Sequence, residues 1–214
     1  MKRMTRWFQA LTQGKPWREV SNIAKDEQSA GMTTTDRFFN RLPEGLVSHA
    51  PRRLAAPHLM TAESTLRQHD RANWYATRAE IKEFAAYYIE AARSVGIPLY
   101  VHGAFRTKAT QDGLKAAGRS RASWPRAPHC QGAAVDVVHC AYHWDMTPNE
   151  WAWLGKVGKD VADRRGIEIT WGGDWNFYDP AHWELSDWRN HIHKHPQGEP
   201  VRRTPRKLLS LHRS

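Results

Sequence analysis

A chain of 214 residues with 40% hydrophobic content is sized for one well-buried core with appendages rather than for several domains. Its formal charge of +10 draws it toward polyanions, and that charge does not choose among nucleic acid, anionic lipid and cell-wall polymers. No apolar run is long enough to span a bilayer, and Cys130 and Cys140 are too few for a disulfide framework.

The start, Met1 to Arg6, is basic, but the apolar stretch of a secretory signal does not follow it. Residues 1–70 are polar and weakly periodic, with loop signals around Pro43, Pro51 and Pro57, and read as an N-terminal arm with short helices. One helix start is expected at Thr33, Thr34, Thr35 and Asp36, ahead of Phe38 and Phe39.

Order improves at Thr77. Thr77-Arg78-Ala79-Glu80 reads as a capping box, and Ile81, Phe84, Ala85, Tyr88, Ile89 and Ala92 recur at helical spacing until Gly96. Residues 97–105 read as a strand, with Leu99 and Val101 on one face and Tyr100 and His102 on the other, and it delivers Arg106 to its end. A short helix then carries Gln111 through to Ala117. Residues 118–127, with Arg119, Arg121 and Arg126, read as a solvated basic loop.

The next stretch, Pro128-His129-Cys130-Gln131-Gly132-Ala133-Ala134-Val135-Asp136, calls for a chemical explanation. Two histidines and an aspartate make an open catalytic zinc site, in which three protein ligands leave one position for water. His129, Asp136 and His182 are taken as that set. Residues seven apart on an unbroken strand point to opposite faces, so the chain must bend at Gly132 if His129 and Asp136 are to share a metal. His129 is then on a loop and Asp136 on a short buried strand over residues 133–138. Cys130, beside a ligand, is expected to point away, and no second metal site is read from His139, His143 and Asp145.

Thr147-Pro148-Asn149-Glu150 is a second capping box. Trp151, Leu154, Val157 and Val161 line one face of its helix, and Gly166 closes it. Residues 167–171 form a strand, Gly172-Gly173 a sharp turn, and Asp179 and His182 fall on one side of a further turn. A carboxylate beside a metal ligand is where a base for a metal-activated water belongs, and Asp179 is a candidate on that ground. Glu184 is the alternative, either as base or as a group orienting a ligand imidazole; Asp174 is weaker than both. Of the eleven tryptophans, Trp124, Trp144, Trp171, Trp175 and Trp183 fall near these motifs, most of them suited to core packing and one or two to a substrate groove. Residues 189–214, rich in histidine and then in arginine, read as a basic C-terminal tail.

His129-x-x-Gly132-x-Ala134-x-Asp136, Trp171-Gly172-Gly173-Asp174-Trp175 and Asp179-x-x-His182-Trp183-Glu184-Leu185 together resemble the zinc peptidases of the D-alanyl-D-alanine carboxypeptidase superfamily. The nearest branch is the L-alanyl-D-glutamate endopeptidases of phage endolysins. The resemblance spans residues 97–185, with one departure, Ala127 where the family usually has serine. It implies an α+β fold of the hedgehog/DD-peptidase type, a small antiparallel sheet flanked by helices, with residues 71–188 as the peptidase domain. It also implies Zn2+ as cofactor, Asp179 as catalytic carboxylate, and Arg106 near the metal, assisting catalysis or binding a substrate carboxylate, with Gln111 in support of substrate binding.

The expected function is hydrolysis of an amide in peptidoglycan stem peptides. The alternatives are D-Ala-D-Ala carboxypeptidase activity in wall metabolism and a non-catalytic zinc-bound or polyanion-binding module. Peptidoglycan is the expected partner, without a stable nucleic-acid partner or a transmembrane segment, and a monomer is expected. Without a secretory signal, the protein is expected to be cytoplasmic until released to the periplasm or wall, by a holin in the phage case.

Overall fold

A computed structural model describes residues 42–191. Its helices are α1 (Glu44–Ser48), α2 (Glu63–His69), α3 (Ala79–Arg93), α4 (Lys108–Ala116) and α5 (Pro148–Arg165). Its strands are β1 (Leu99–Gly103), β2 (Ala134–His139), β3 (Ile169–Trp171) and β4 (His182–Leu185), all antiparallel, in the spatial order β1-β2-β4-β3. This is an α+β fold. The helix start expected at Thr33 to Asp36 and the tail from residue 192 onward lie outside the described residues.

Strand alternation divides the sheet into two faces. Val135 and Val137 of β2, with Trp183 and Leu185 of β4, face the helices and are buried. Asp136 of β2 and His182 and Glu184 of β4 face the other way, and Asp136 pairs directly with His182 in the ladder. The sheet is thus apolar behind and chemical in front.

Trp183 anchors the apolar side. Its ring lies 5.0 Å from Phe84 and 5.2 Å from Tyr88, both on α3, and stacks on Trp171 of β3 at 5.6 Å. Two such indoles fit under α5 only because Gly155 and Gly158, one turn apart, carry no side chain: a Cβ would come within 2.4 Å of the Trp171 ring or 2.2 Å of the Trp183 ring. The glycines lower helix propensity by roughly 1 kcal/mol each, which aromatic burial offsets.

Capping differs between the two long helices. At α5 the box forms: Thr147 Oγ1 accepts from the Glu150 amide, Glu150 accepts from the Thr147 amide, and Gly166 ends the helix at φ +66°. The box expected at Thr77 and Glu80 does not form. The Arg78 amide is drawn to the Gly132 carbonyl at 2.7 Å and Thr77 Oγ1 donates to the Asn73 carbonyl, so α3 starts one residue later with no side-chain cap.

Residues 42–70 form short helices that pack onto the body rather than stand apart from it. Leu54 is fully buried, its carbonyl accepts from His139 Nε2 at 2.9 Å, and Arg53 donates to Glu150 at 2.7 Å. The packed unit therefore reaches upstream of residue 71.

Candidate metal and catalytic site

His129 sits on a 3-10 turn, Pro128–Gln131, that closes at Gly132 with φ +61°. Only glycine fits there, since a Cβ would lie 1.8 Å from the Ala76 carbonyl oxygen. The left-handed residue supplies the bend between His129 and Asp136, and the expected strand follows it almost at once.

His182 opens β4 after a tight turn in which its amide donates to the Asp179 carbonyl at 3.1 Å. Gly172 backs this turn: its carbonyl accepts from the Asp179 amide, and a Cβ on it would lie 2.3 Å from the Asp179 carbonyl oxygen. Gly172 therefore allows two chain segments to touch where His182 is launched.

His129, Asp136 and His182 come together as one cluster. His129 Nε2 and His182 Nδ1 each lie 3.1 Å from Asp136 Oδ1, and the two ring nitrogens lie 3.3 Å apart. Ligands about 2 Å from a tetrahedral cation stand about 3.3 Å from one another, so the triangle has the right size.

The protons have the right places too. His129 Nδ1 donates to the Ala104 carbonyl at 2.6 Å, leaving the Nε2 lone pair for the cluster. On His182 the outward nitrogen, Nε2, lies 3.1 Å from Glu184 Oε2, leaving Nδ1 for the cluster. Three acceptors thus converge with no hydrogen-bond donor of their own between them, an arrangement that a cation stabilises.

Electrostatics agree. Burial raises the Asp136 carboxyl, but His129 and His182 outweigh it and hold it well below the usual range. Burial lowers the His182 imidazolium, but hydrogen bonds to Asp136 and Glu184 carry it up to about 9. His129, most deeply buried, is lowered by burial. The shifts of Asp136 and His182 share one cause, a buried carboxylate that favours positive charge beside it.

Arg106 follows β1 as expected, and its amide donates to the His129 carbonyl at 3.1 Å. Its Nη2 donates to Asp136 Oδ2 at 3.0 Å, on the oxygen away from the histidines, and Gly103 opposite Asp136 leaves room there, since a Cβ on it would lie 3.0 Å from the same oxygen. Gln111 is fully buried and does not line the cleft. Its carbonyl lies 3.5 Å from Arg106 Nη1, while its amide donates to Ser120 Oγ at 2.8 Å and the Ala122 carbonyl at 2.9 Å. It reaches the site only through the groups it braces.

Asp179 lines the cleft, partly exposed. Burial and the nearby Asp136 carboxylate raise its pKa above the ordinary value. Glu184 is buried behind His182: Oε2 meets His182 Nε2, and Oε1 accepts from Trp188 Nε1 at 2.8 Å. Asp174 is exposed and paired with Lys159. Cys130 is buried and outside the cluster, its thiol pushed up to about 11 by burial. His139 is a fully buried structural residue, bonded at both ring nitrogens to backbone groups.

The cluster forms the floor of a cleft of about 870 Å³. Trp175 packs against His182 at 5.2 Å and, with Trp144 and Phe177, supplies aromatic walls. Trp171 and Trp183 are core residues, as most of the tryptophans were expected to be. Two parts of the site had no readable signal: the Ala104 carbonyl is backbone, and Trp188 lies beyond the motif it serves.

A family model described as D-alanyl-D-alanine carboxypeptidase matches residues 121–185. That segment contains the cluster, Asp179 and Glu184 and stops short of Arg106 and Gln111. The crystal structure of the Serratia marcescens L-Ala D-Glu endopeptidase ChiX is similar over 63% of this chain and 98% of that one, at 25% identity and a TM-score of 0.47. No curated protein matches the chain. Among the described residues, no helix is long and apolar enough to cross a membrane.

Proposed function

We propose that this chain, whose residues 121–185 belong to the D-alanyl-D-alanine carboxypeptidase family of peptidases, hydrolyses an amide bond in peptidoglycan stem peptides with one zinc ion as cofactor. The observation that carries the reading is the convergence of His129 Nε2, Asp136 Oδ1 and His182 Nδ1, with the remaining ring nitrogens committed elsewhere. A set of two imidazoles and one carboxylate suits zinc.

When bound, zinc lowers the pKa of a water to about 7 and polarises the scissile carbonyl. Asp179 takes a proton at a carboxylate oxygen as water attacks and delivers it to the leaving amine. Arg106 keeps Asp136 in place through Nη2 and offers its other donors to the developing oxyanion, a contribution of about 3 kcal/mol for a well-aimed donor.

Glu184 serves as the group that orients His182. Its oxygens are occupied by His182 and Trp188, and it acts on the ring nitrogen turned away from the cluster. A wall-lytic setting of the endolysin kind follows from the motif resemblance, and both endopeptidase and carboxypeptidase cleavage suit an open cleft.

Incubation of the purified protein with peptidoglycan, with and without a chelator, and mass spectrometry of the new termini tests the reading. New amine and carboxyl termini that appear only without chelator, and return with added zinc, are expected. An unchanged peptidoglycan in every arm overturns it.

A further inference from the structure

Resting on the reading of the site as a peptidase, we infer that the loop over residues 118–127 is a carboxylate-recognising wall that selects acidic peptides, those whose carboxyl groups beside the scissile amide are free rather than amidated. As a sequence this loop reads as a solvated run of charge. Folded, it lines the cleft with Arg119, Arg121 and Arg126, each exposed.

The loop is held from beneath. The buried Gln111 amide donates to Ser120 and to the Ala122 carbonyl, the Arg119 amide donates to the Leu114 carbonyl at 2.8 Å, and Gln131 donates to the Pro125 carbonyl at 2.8 Å. Its guanidiniums therefore spring from a braced backbone. None of the three forms an ion pair with a carboxylate among the described residues. Arg121 lies over the Phe177 ring at 4.1 Å, and a stacked guanidinium keeps its N–H edge for a ligand.

The charge balance of the cleft points the same way. Asp136 is compensated by Arg106 and the two histidines, and Glu184 by His182, with Arg189 at 3.6 Å. Among the described residues, Asp179 is the cleft carboxylate without an ion pair, in a cleft that carries three arginines likewise without one. Guanidinium and carboxylate match as planar forks, so a peptide bearing free carboxylates meets complementary groups, and its amidated counterpart does not.

The test uses two synthetic stem peptides of one sequence, one with free carboxyl groups and one amidated. Affinity is measured by calorimetry and hydrolysis by kcat/KM, with the zinc-loaded protein. An exposed ion pair contributes a factor of up to about five and two give up to about twenty-five, so the wild-type protein is expected to favour the free-carboxyl peptide about tenfold. Added salt should shrink that preference. In the combined R119Q, R121Q and R126Q variant the ratio should fall close to one, and the corresponding arginine-to-lysine variant, which keeps the charge and loses the planar fork, should fall between the two.

Equal affinity for the two peptides, no affinity for either, or a preference that survives in the glutamine variant overturns the inference. Tighter binding of the free-carboxyl peptide without hydrolysis of either supports the wall while the peptidase reading fails. Hydrolysis of both at equal rates does the reverse.

Discussion

Glu184 Oε2 lies 3.1 Å from His182 Nε2, on the opposite side of the imidazole from the nitrogen that meets His129 and Asp136. A carboxylate in that position fixes the ring and increases the basicity of the metal-facing nitrogen. Glu184→Gln is therefore expected to lower zinc affinity by roughly 10–100-fold. Excess zinc should restore hydrolysis, which a chelator-competition titration and a zinc-dependence of rate would check. Activity that excess zinc does not restore would make Glu184 the base.

Asp179 has the opposite expectation. It stands in the cleft but outside the cluster, so Asp179→Ala should keep one zinc per chain by elemental analysis. Hydrolysis should fall by about 10²–10⁴-fold, the usual contribution of a positioned acid–base group. Loss of the zinc along with the activity would show that Asp179 holds the metal instead.

Two glycine-to-alanine changes, each within a helix, should have opposite signs. At Gly113 in α4 nothing lies within 4 Å of a new Cβ, so Gly113→Ala should stabilise by about 0.5–1 kcal/mol through helix propensity. At Gly158 in α5 the same Cβ would lie 2.2 Å from the buried Trp183 ring, and overpacking of about 1–3 kcal/mol outweighs the propensity gain. Denaturant titrations of the two variants should move to opposite sides of the wild type.

His69 ends α2, buried edge-on against Tyr100 of β1. Burial, assisted by Arg93, pushes its pKa down to about 3 from an ordinary value of 6.5. The unfolded chain then binds a proton that the folded one refuses. Its contribution to stability is complete above pH 6.5 and falls as pH drops toward 3, at up to about 1.4 kcal/mol per pH unit. Urea titrations between pH 7.5 and pH 4.5 should show a shallower acid slope in His69→Gln than in wild type; an unchanged slope would place the titration elsewhere.

The legible parts were those written in local pattern. The two long helices follow from apolar periodicity, and α5 begins at its capping box because Thr147 and Glu150 satisfy each other within one turn. The similar signature at Thr77 and Glu80 failed because the turn before it engages the groups the box needs, the Thr77 amide donating to the Trp74 carbonyl and its hydroxyl to the Asn73 carbonyl. Residues 42–70 looked like an arm because their buried side chains, Leu42, Leu54, Thr65 and His69, are too widely spaced to make a period.

By itself, then, the sequence singled out His129, Asp136, Asp179 and His182 as the candidate side chains and determined where the chain bends to present them, since Gly132 and Gly172 act on their immediate neighbours. Only the tertiary structure decided that β2 and β4, 46 residues apart at Asp136 and His182, lie side by side in register. It also decided that the proton of His129 goes to the Ala104 carbonyl, and that Arg119, Arg121 and Arg126 line the cleft. The reason is that bends and caps act over a few residues, whereas strand pairing and the cleft wall depend on segments that meet only when the chain is folded, Trp171 and Trp183 against Gly155 and Gly158 behind the sheet and Gln111 beneath the arginine loop.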